Sequence, residues 1–213
     1  MIPLSRTRAK ICGITRPEDG ALAAALGADA IGLVFYPPSP RFVEIETAQR
    51  IVAALPPLVT TVGLFMNAQP ATIQAVLDAV RIDLLQFHGD EPPETCAAFH
   101  KPYLKAVPMG SGADLRDYEQ RFASATGLLL DSHGGAQSGG SGQCFDWTRI
   151  PAQRHKPLIL AGGLHPGNVA EAIRRVRPYA VDVSSGVESA KGVKDPALMR
   201  AFLRGVYDCE SPA

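Results

Sequence analysis

Short apolar runs alternate along the chain with segments of helical periodicity. The runs are rich in Val, Ile, Leu and Phe with little polar alternation, which is typical of parallel strands covered by helices. They predict eight strands, at Arg8–Ile14, Ala30–Phe35, Val59–Phe65, Leu84–Phe87, Tyr103–Val107, Gly127–Asp131, Pro157–Leu160 and Ala180–Val183. The intervening segments predict seven helices, at Pro17–Leu26, Thr47–Leu55, Pro70–Val80, Glu91–His100, Asp114–Phe122, Pro166–Val176 and Pro196–Tyr207. The sixth interval, 132–149, is mostly Gly and Ser and predicts only a helical turn near its end.

The starts of several helices carry local signals. A proline in the first turn, where a missing N–H costs nothing, is expected for the helices beginning at Pro17, Pro70, Pro166 and Pro196. Thr15, with Glu18 three residues later, predicts a capping box for the first helix.

Eight strands in 213 residues place one strand in roughly every 27 residues, the size of a βα unit. This repeat predicts either a closed (β/α)8 barrel or a long doubly wound sheet. A dinucleotide-binding sheet would have GxGxxG after its first strand, and the chain has Cys-Gly-Ile-Thr-Arg-Pro there. Because no linker-like segment divides the chain, we expect residues 1–213 to form one α/β domain, a TIM barrel with its active site at the C-terminal strand ends.

Charge and cysteine content narrow the class of protein. Lys+Arg and Asp+Glu balance at 21 each, so no global field favours nucleic acid or an anionic membrane, and local groups must hold any anionic ligand. The four scattered cysteines, without a CxxC pair or a secretory signal, read as reduced thiols. No apolar run approaches the roughly 18–20 residues of a membrane helix. We therefore expect a soluble cytoplasmic protein that binds neither nucleic acid nor membrane.

Four side chains that could take part in catalysis or binding lie at or after predicted strand ends. Cys12 closes the first strand, where a thiol is either a nucleophile or proton-transfer base, or a small buried hydrophobe. Asp131 closes an apolar strand, which is unusual for a carboxylate unless it is paired or functional. His88 follows the fourth strand and suits packing as well as catalysis. Arg41 follows three prolines in a stiff loop, which suits a carboxylate-binding arginine as well as a surface one.

The loops after the last strands predict a phosphate site. Glycines after the seventh strand and a Ser-Ser-Gly after the eighth are typical of the phosphate site that (β/α)8 barrels build there. The Gly/Ser-rich run 134–142 has glycine where a loop must pass close to a ligand, and its part 139–142 is expected as a third contributor. The substrate-binding residues expected in these loops are Gly139, Gly140, Gly162, Gly163, Ser184, Ser185 and Gly186.

A series of motifs resembles the phosphoribosylanthranilate isomerase family over almost the whole chain. They are Lys-Ile-Cys-Gly-Ile-Thr, Phe-Tyr-Pro-Pro-Ser-Pro-Arg, Val-Gly-Leu-Phe-Met-Asn, Gln-Phe-His-Gly-Asp-Glu, Leu-Asp-Ser, Gly-Gly-Ser-Gly-Gln-Cys-Phe-Asp-Trp, Ala-Gly-Gly-Leu and Asp-Val-Ser-Ser-Gly-Val-Glu. The chain departs from the family at Ser141, where many members have threonine, and in a loosely patterned segment between Asp131 and Gly139. The resemblance implies an Amadori rearrangement in tryptophan biosynthesis, without cofactor or metal. It would convert the small phosphorylated substrate N-(5-phosphoribosyl)anthranilate into 1-(2-carboxyphenylamino)-1-deoxyribulose 5-phosphate, in a monomer or a homodimer.

Carried over by position, the resemblance makes Cys12 the general base, Asp131 the general acid and Arg41 the residue that binds the anthranilate carboxylate. Ring opening needs a proton on the ribose oxygen, and burial of Asp131 would raise its pKa and keep it protonated. Removal of the C2′ proton needs a partly ionised thiol. His88 and Asp182 are expected among the substrate-binding residues.

Two further inferences concern the neighbourhood of the thiol and the alternatives to this function. Lys10 shares the inward face of its strand with Cys12, and we infer that Lys10 and Asp182 tune the local field.

One alternative function is that of another sugar-phosphate isomerase of the same fold, such as the related histidine-pathway enzyme. That enzyme resembles a design with two catalytic aspartates, one of them at the end of the first strand. Cys12 at this position argues against it. A non-catalytic phosphate-binding barrel is the other alternative, and the presence of both Cys12 and Asp131 at strand ends argues against it.

Overall fold

The computed structural model describes residues 6–132 and 145–209. Eight parallel strands pair in chain order, and the eighth pairs with the first to close a barrel. The strands are β1 (Arg8–Cys12), β2 (Ala30–Val34), β3 (Thr60–Phe65), β4 (Leu84–Phe87), β5 (Tyr103–Pro108), β6 (Gly127–Asp131), β7 (Leu158–Leu160) and β8 (Ala180–Val183). The predicted (β/α)8 barrel is therefore confirmed.

Within residues 6–132 and 145–209, six helices lie between strands and a seventh follows the last strand. They are α1 (Pro17–Ala25), α2 (Ile45–Ala53), α3 (Pro70–Ala79), α4 (Pro93–Ala97), α5 (Leu115–Arg121), α6 (Val169–Val176) and α7 (Pro196–Asp208). The described part of the segment between β6 and β7 contains a single 3-10 turn, Trp147–Arg149, where the sequence predicts a helical turn.

The expected start of α1 at Pro17 is confirmed, but its expected cap and the expected starts of α4 and α6 are wrong. Thr15 does not cap α1, because Arg16 is the N-cap residue without a side-chain bond and the Thr15 hydroxyl donates to Gly192 O at 2.5 Å. Helix α4 begins two residues after Glu91, whose carboxylate serves tertiary partners instead. Helix α6 begins at Val169 rather than at Pro166. There the Asn168 side chain accepts a hydrogen bond from His165 N, an alternative to helical backbone bonding.

Alternation along each strand separates two hydrophobic clusters. Outward residues such as Ile11 and Leu128 join the large core that also contains helix residues such as Ala23 and Ile173. The interior cluster consists of Leu104, Ala106, Leu129, Ile159, Ala161 and Ala180. Apolar side chains fill this part of the interior, whereas β1 and β8 place the polar residues Lys10 and Asp182 in another part.

A hairpin that the sequence analysis missed follows β8. A 3-10 turn, Ser185–Val187, leads into antiparallel strands β9 (Glu188–Ala190) and β10 (Val193–Lys194). Gly192 has a φ of +79°, as the tight connection between these strands requires. The Lys194 backbone N–H donates to Asp19 Oδ2 at 3.2 Å, which ties the hairpin to α1.

Three of the four cysteines lie in the described residues, and none of these three forms a disulfide. Cys12, Cys96 and Cys209 are free thiols, and Cys144 lies outside the described residues. Within 6–132 and 145–209, no helix has the length and apolarity needed to cross a membrane.

Candidate active site

Cys12 lies at the C-terminal end of β1, facing the barrel interior together with Lys10. Its side chain occupies space that Gly32 of β2 leaves open, since a Cβ at Gly32 would be 2.7 Å from Cys12 Sγ and 3.1 Å from Lys10 Nζ. Gly32 is not among the residues that the sequence motifs predict for the site. A glycine within an apolar strand is the signal that could have found it, because such a glycine marks close approach of another group.

A buried ion pair adjoins the thiol. Lys10 Nζ lies 3.0 Å from Asp182 Oδ1 on the neighbouring strand β8, so the structure brings the two residues together as the strand pattern predicts. Burial raises the pKa of the Cys12 thiol, the positive charge of Lys10 opposes the shift, and Asp182 adds to it. Burial also disfavours the charged form of Lys10, but Asp182 and Cys12 together outweigh burial, and the pKa of Lys10 is raised. The thiol therefore has a persistent cation beside it.

Asp131 lies at the end of β6, which β7 and β8 separate from β1. Its Oδ2 is 3.0 Å from His88 Nε2, and His88 Nδ1 is 3.1 Å from Gln86 Nε2. His88 therefore lies between Gln86 and Asp131, with one ring nitrogen within hydrogen-bond distance of each side chain. His88 thus contacts the candidate acid and holds it in one orientation.

Arg41 packs against Gly13, the residue after Cys12, and one edge of its guanidinium is already occupied. Arg41 Nε and Nη2 donate to Glu188 Oε1 and Oε2, each at 2.8 Å. The side chain crosses Gly13, where a Cβ would be 2.4 Å from Arg41 Cδ. Gly13 has a φ of +72°, so a larger residue there would be strained as well as obstructed.

Glu188 has a second buried partner, Lys194. Neither residue is among the site residues predicted from the sequence. Lys194 Nζ donates to Glu188 Oε1 at 2.8 Å and to Ser184 O at 3.0 Å. Burial would raise the pKa of Glu188, but Arg41 and Lys194 lower it below its usual value. Burial lowers the pKa of Lys194, and Glu188 partly offsets the shift. The available signal in the sequence was one acidic and one basic residue, six positions apart, in the segment after β8.

The predicted phosphate loops pack closely against each other. Gly162 and Gly163 have φ values of +76° and +71°, and a Cβ at Gly162 would lie 2.4 Å from Ser132 N. A Cβ at Gly186 would lie 2.0 Å from Leu164 O. Backbone of the loops after β6, β7 and β8 therefore lies close together at the end of the barrel where the sequence predicts the phosphate site.

Not every predicted site residue can be placed. Gly139 and Gly140 lie outside the described residues, whereas Ser184 and Ser185 follow β8 in the converging loops. In the parts of the chain that the structure describes, no three His, Cys, Asp or Glu side chains are grouped as metal ligands would be.

Comparisons with known proteins agree with this architecture. The profile of a family described as N-(5'phosphoribosyl)anthranilate (PRA) isomerase matches residues 9–205. An N-(5'-phosphoribosyl)anthranilate isomerase of Nitrosococcus oceani is 57% identical over 201 residues, which cover 94% of this chain and 98% of the relative.

Two solved structures extend the similarity to three dimensions. One is a phosphoribosyl anthranilate isomerase in complex with reduced 1-(o-carboxyphenylamino)-1-deoxyribulose 5-phosphate, with a TM-score of 0.79, 39% identity, and coverage of 95% of this chain and 99% of the other. The other shows monomers generated from the dimeric phosphoribosylanthranilate isomerase of Thermotoga maritima, with a TM-score of 0.78, 38% identity and the same coverage. This chain belongs to the N-(5'-phosphoribosyl)anthranilate isomerase family.

Proposed function

We propose that Cys12 and Asp131 perform the proton transfers in the isomerisation of N-(5'-phosphoribosyl)anthranilate, the reaction for which the family is named. One observation carries the assignment. The thiol and the carboxyl group lie at the C-terminal strand ends of one barrel, the end that also carries Arg41 and the loops at Gly162 and Gly186. A substrate with a carboxylate and a phosphate would therefore meet candidate partners for both groups at the end where the candidate acid and base lie.

The chemistry assigns a different protonation state to each group. Protonated Asp131 delivers its proton to the ribose ring oxygen, and the ring opens to a Schiff base between C1′ and the anthranilate nitrogen. The Cys12 thiolate then removes the proton from C2′. The enaminol that results gains a proton at C1′ and loses the hydroxyl proton at C2′, which produces the ketone 1-(2-carboxyphenylamino)-1-deoxyribulose 5-phosphate. In this scheme His88 is the residue that orients Asp131.

A fluorescence assay that follows loss of phosphoribosylanthranilate tests the function. We expect turnover by the purified protein without added metal or cofactor. Tight binding of the reduced product analogue with no loss of substrate fluorescence would instead support a non-catalytic phosphate-binding barrel.

Arg41→Ala should raise KM strongly. Removing one partner of a desolvated charge pair costs on the order of 2–5 kcal/mol, which corresponds to a loss of roughly 30-fold or more in affinity. Inhibition by inorganic phosphate should remain, because phosphate competes at the loops after β7 and β8. Arg121→Ala, which removes an exposed arginine paired with Asp117, is the control and should leave KM unchanged. An equal loss of phosphate inhibition in Arg41→Ala would place Arg41 at the phosphate end of the substrate.

The pH dependence of kcat/KM should respond in opposite directions to the two partners of the buried ion pair. The thiolate is the active form and burial raises the Cys12 pKa above its ordinary value of 9.0, so activity should rise with pH along the acid limb. Lys10→Met removes a charge that lowers this pKa and should move the limb to higher pH. Asp182→Asn removes a charge that raises it and should move the limb to lower pH.

Profiles of the wild type and the two variants check this prediction. Lys191→Met, at an exposed lysine, is the control and should reproduce the wild-type profile. Movement of both limbs in the same direction would show that the variants act through the fold rather than through the field at the thiol.

We also propose that the protein is cytoplasmic and is either a monomer or a homodimer, since the Thermotoga maritima relative is dimeric and also exists as generated monomers. Sedimentation velocity distinguishes the two states, and cell fractionation tests the location.

A further inference from the structure

The hairpin after β8 contributes a buried charge cluster to the candidate site. Arg41, Glu188 and Lys194 make up the cluster, and their side chains are 13%, 5% and 0% exposed. While the Cys12 thiol is neutral, the two cations and one carboxylate leave this cluster with an excess of one positive charge. A buried excess charge is costly unless a counter-ion arrives, and a single carboxylate would supply it.

The geometry of the guanidinium shows where that carboxylate would bind. A guanidinium has five N–H donors arranged along two edges that can each hold a carboxylate in bidentate fashion. Glu188 takes the edge formed by Nε and Nη2 of Arg41. Among the described residues, Arg41 Nη1 has no hydrogen-bond partner, so the edge formed by Nη1 and Nη2 is the one left for a ligand.

Lys194 connects this arginine to the phosphate loop. Its Nζ donates to the Glu188 oxygen that also receives Arg41 Nε, and to the backbone carbonyl of Ser184. Lys194 lies opposite Glu188 in the β9–β10 pairing, and its backbone is held by Asp19 of α1. The lysine therefore has a defined position from which it reaches both anion-binding regions.

We propose that Glu188 and Lys194 are positioning residues, which direct the free edge of Arg41 towards the substrate carboxylate and couple that edge to the phosphate loop at Ser184. The inference rests on the proposed role of Arg41. It goes further in assigning Arg41 a preset direction and in predicting that the two ends of the substrate are recognised through one connected set of side chains.

Glu188→Gln tests the first half of the proposal. The amide is nearly isosteric, but its NH2 group cannot accept from Arg41 or Lys194, so the bidentate pair is lost. We expect the Kd of the reduced product analogue to rise about 10- to 100-fold, the usual worth of hydrogen bonds to charged groups. Inhibition by inorganic phosphate should stay at the wild-type level, and kcat should change less than about threefold. Glu171→Gln, in an exposed pair with Arg175, is the matched control and should change none of these.

A double-variant cycle separates positioning from a general structural role. In an Arg41→Ala background, Glu188→Gln should weaken analogue binding no further, because the group that it positions is gone. An equal loss in both backgrounds would overturn the proposal. If Arg41→Ala alone leaves the analogue Kd unchanged, the role of Arg41 in the proposed function fails. If Arg41→Ala weakens binding and Glu188→Gln does not, only the positioning role fails.

Lys194→Met tests the second half. It should weaken both the analogue and inorganic phosphate, since the methionine keeps the volume but removes the link to Ser184 O. Lys194→Gln is a second variant that keeps a donor at the site, and it should fall between Lys194→Met and the wild type for both ligands. Loss of analogue binding with unchanged phosphate inhibition in both variants would overturn the coupling to the phosphate loop.

Discussion

Cys12→Ser and Asp131→Asn should each lower kcat at least about 10²-fold, the usual contribution of a general acid or base. KM should change much less, because neither group anchors the substrate. Cys96→Ser is a matched control, since burial raises the pKa of that thiol to about 12 and the residue lies in α4, where it serves no proposed step. Steady-state fluorescence measures the effect.

Circular dichroism and the unfolding midpoint should stay near wild type in both active-site variants. A variant that keeps more than about a third of the wild-type kcat would rule out the role assigned to its residue. The pH profile adds a second criterion. Asp131→Asn should keep the acid limb, in which the thiol loses its charge, and lose the basic limb. A flat wild-type profile between about pH 6 and 9 would contradict both roles, unless product release limits the rate.

Lys105→Met should destabilise the fold by about 3–5 kcal/mol, because it leaves the buried Glu91 carboxylate without its cation. Lys105 Nζ lies 2.8 Å from Glu91 Oε2, and both side chains are 2% exposed. Glu91 also accepts hydrogen bonds from the backbone N–H groups of Asn67 and Gly89, so it holds the loops after β3 and β4 together. Equilibrium unfolding in urea measures the loss.

Two comparisons identify the cause of that loss. Arg121→Ala breaks an exposed pair and should cost less than about 1 kcal/mol. Lys105→Met combined with Glu91→Gln should recover part of the stability, because no unpaired charge remains. A single Lys105→Met variant within about 1 kcal/mol of wild type would show that Glu91 is not stabilised through Lys105.

Much of the barrel could be predicted from the chain because its strands carry a local signal. A strand buried on both faces must be apolar at nearly every position. The run Leu128-Leu129-Leu130 therefore predicts a strand even when the strands that pair with it are unknown. The ends of such strands are equally local, which is why Cys12 and Asp131 could be located before the fold was known. The first turn of α7 is local too, because Pro196 and the N-cap Asp195 lie beside the N–H groups concerned.

The helix-start signals in the sequence failed where a residue far away in the chain competed with the nearby helix backbone for the same side chain. Thr15 and Glu18 have the spacing of a capping box, yet the Thr15 hydroxyl bonds to Gly192, 177 residues away. The same competition draws Glu91 away from the start of α4 and towards Lys105. A short-range propensity is worth about 1 kcal/mol, so one buried tertiary bond is enough to override it.

The sequence by itself determined the order of strands and helices, the closed barrel as the favoured architecture, and the end of the barrel at which Cys12, Asp131 and the glycine loops collect. Only the tertiary structure decided the partners. Lys10 meets Asp182 because closure pairs β1 with β8, and Arg41 meets Glu188 because the hairpin packs against the loops after β1 and β2. The physical reason is that periodicity records whether a position is buried, whereas the identity of a partner depends on strand register and closure over distances of more than a hundred residues.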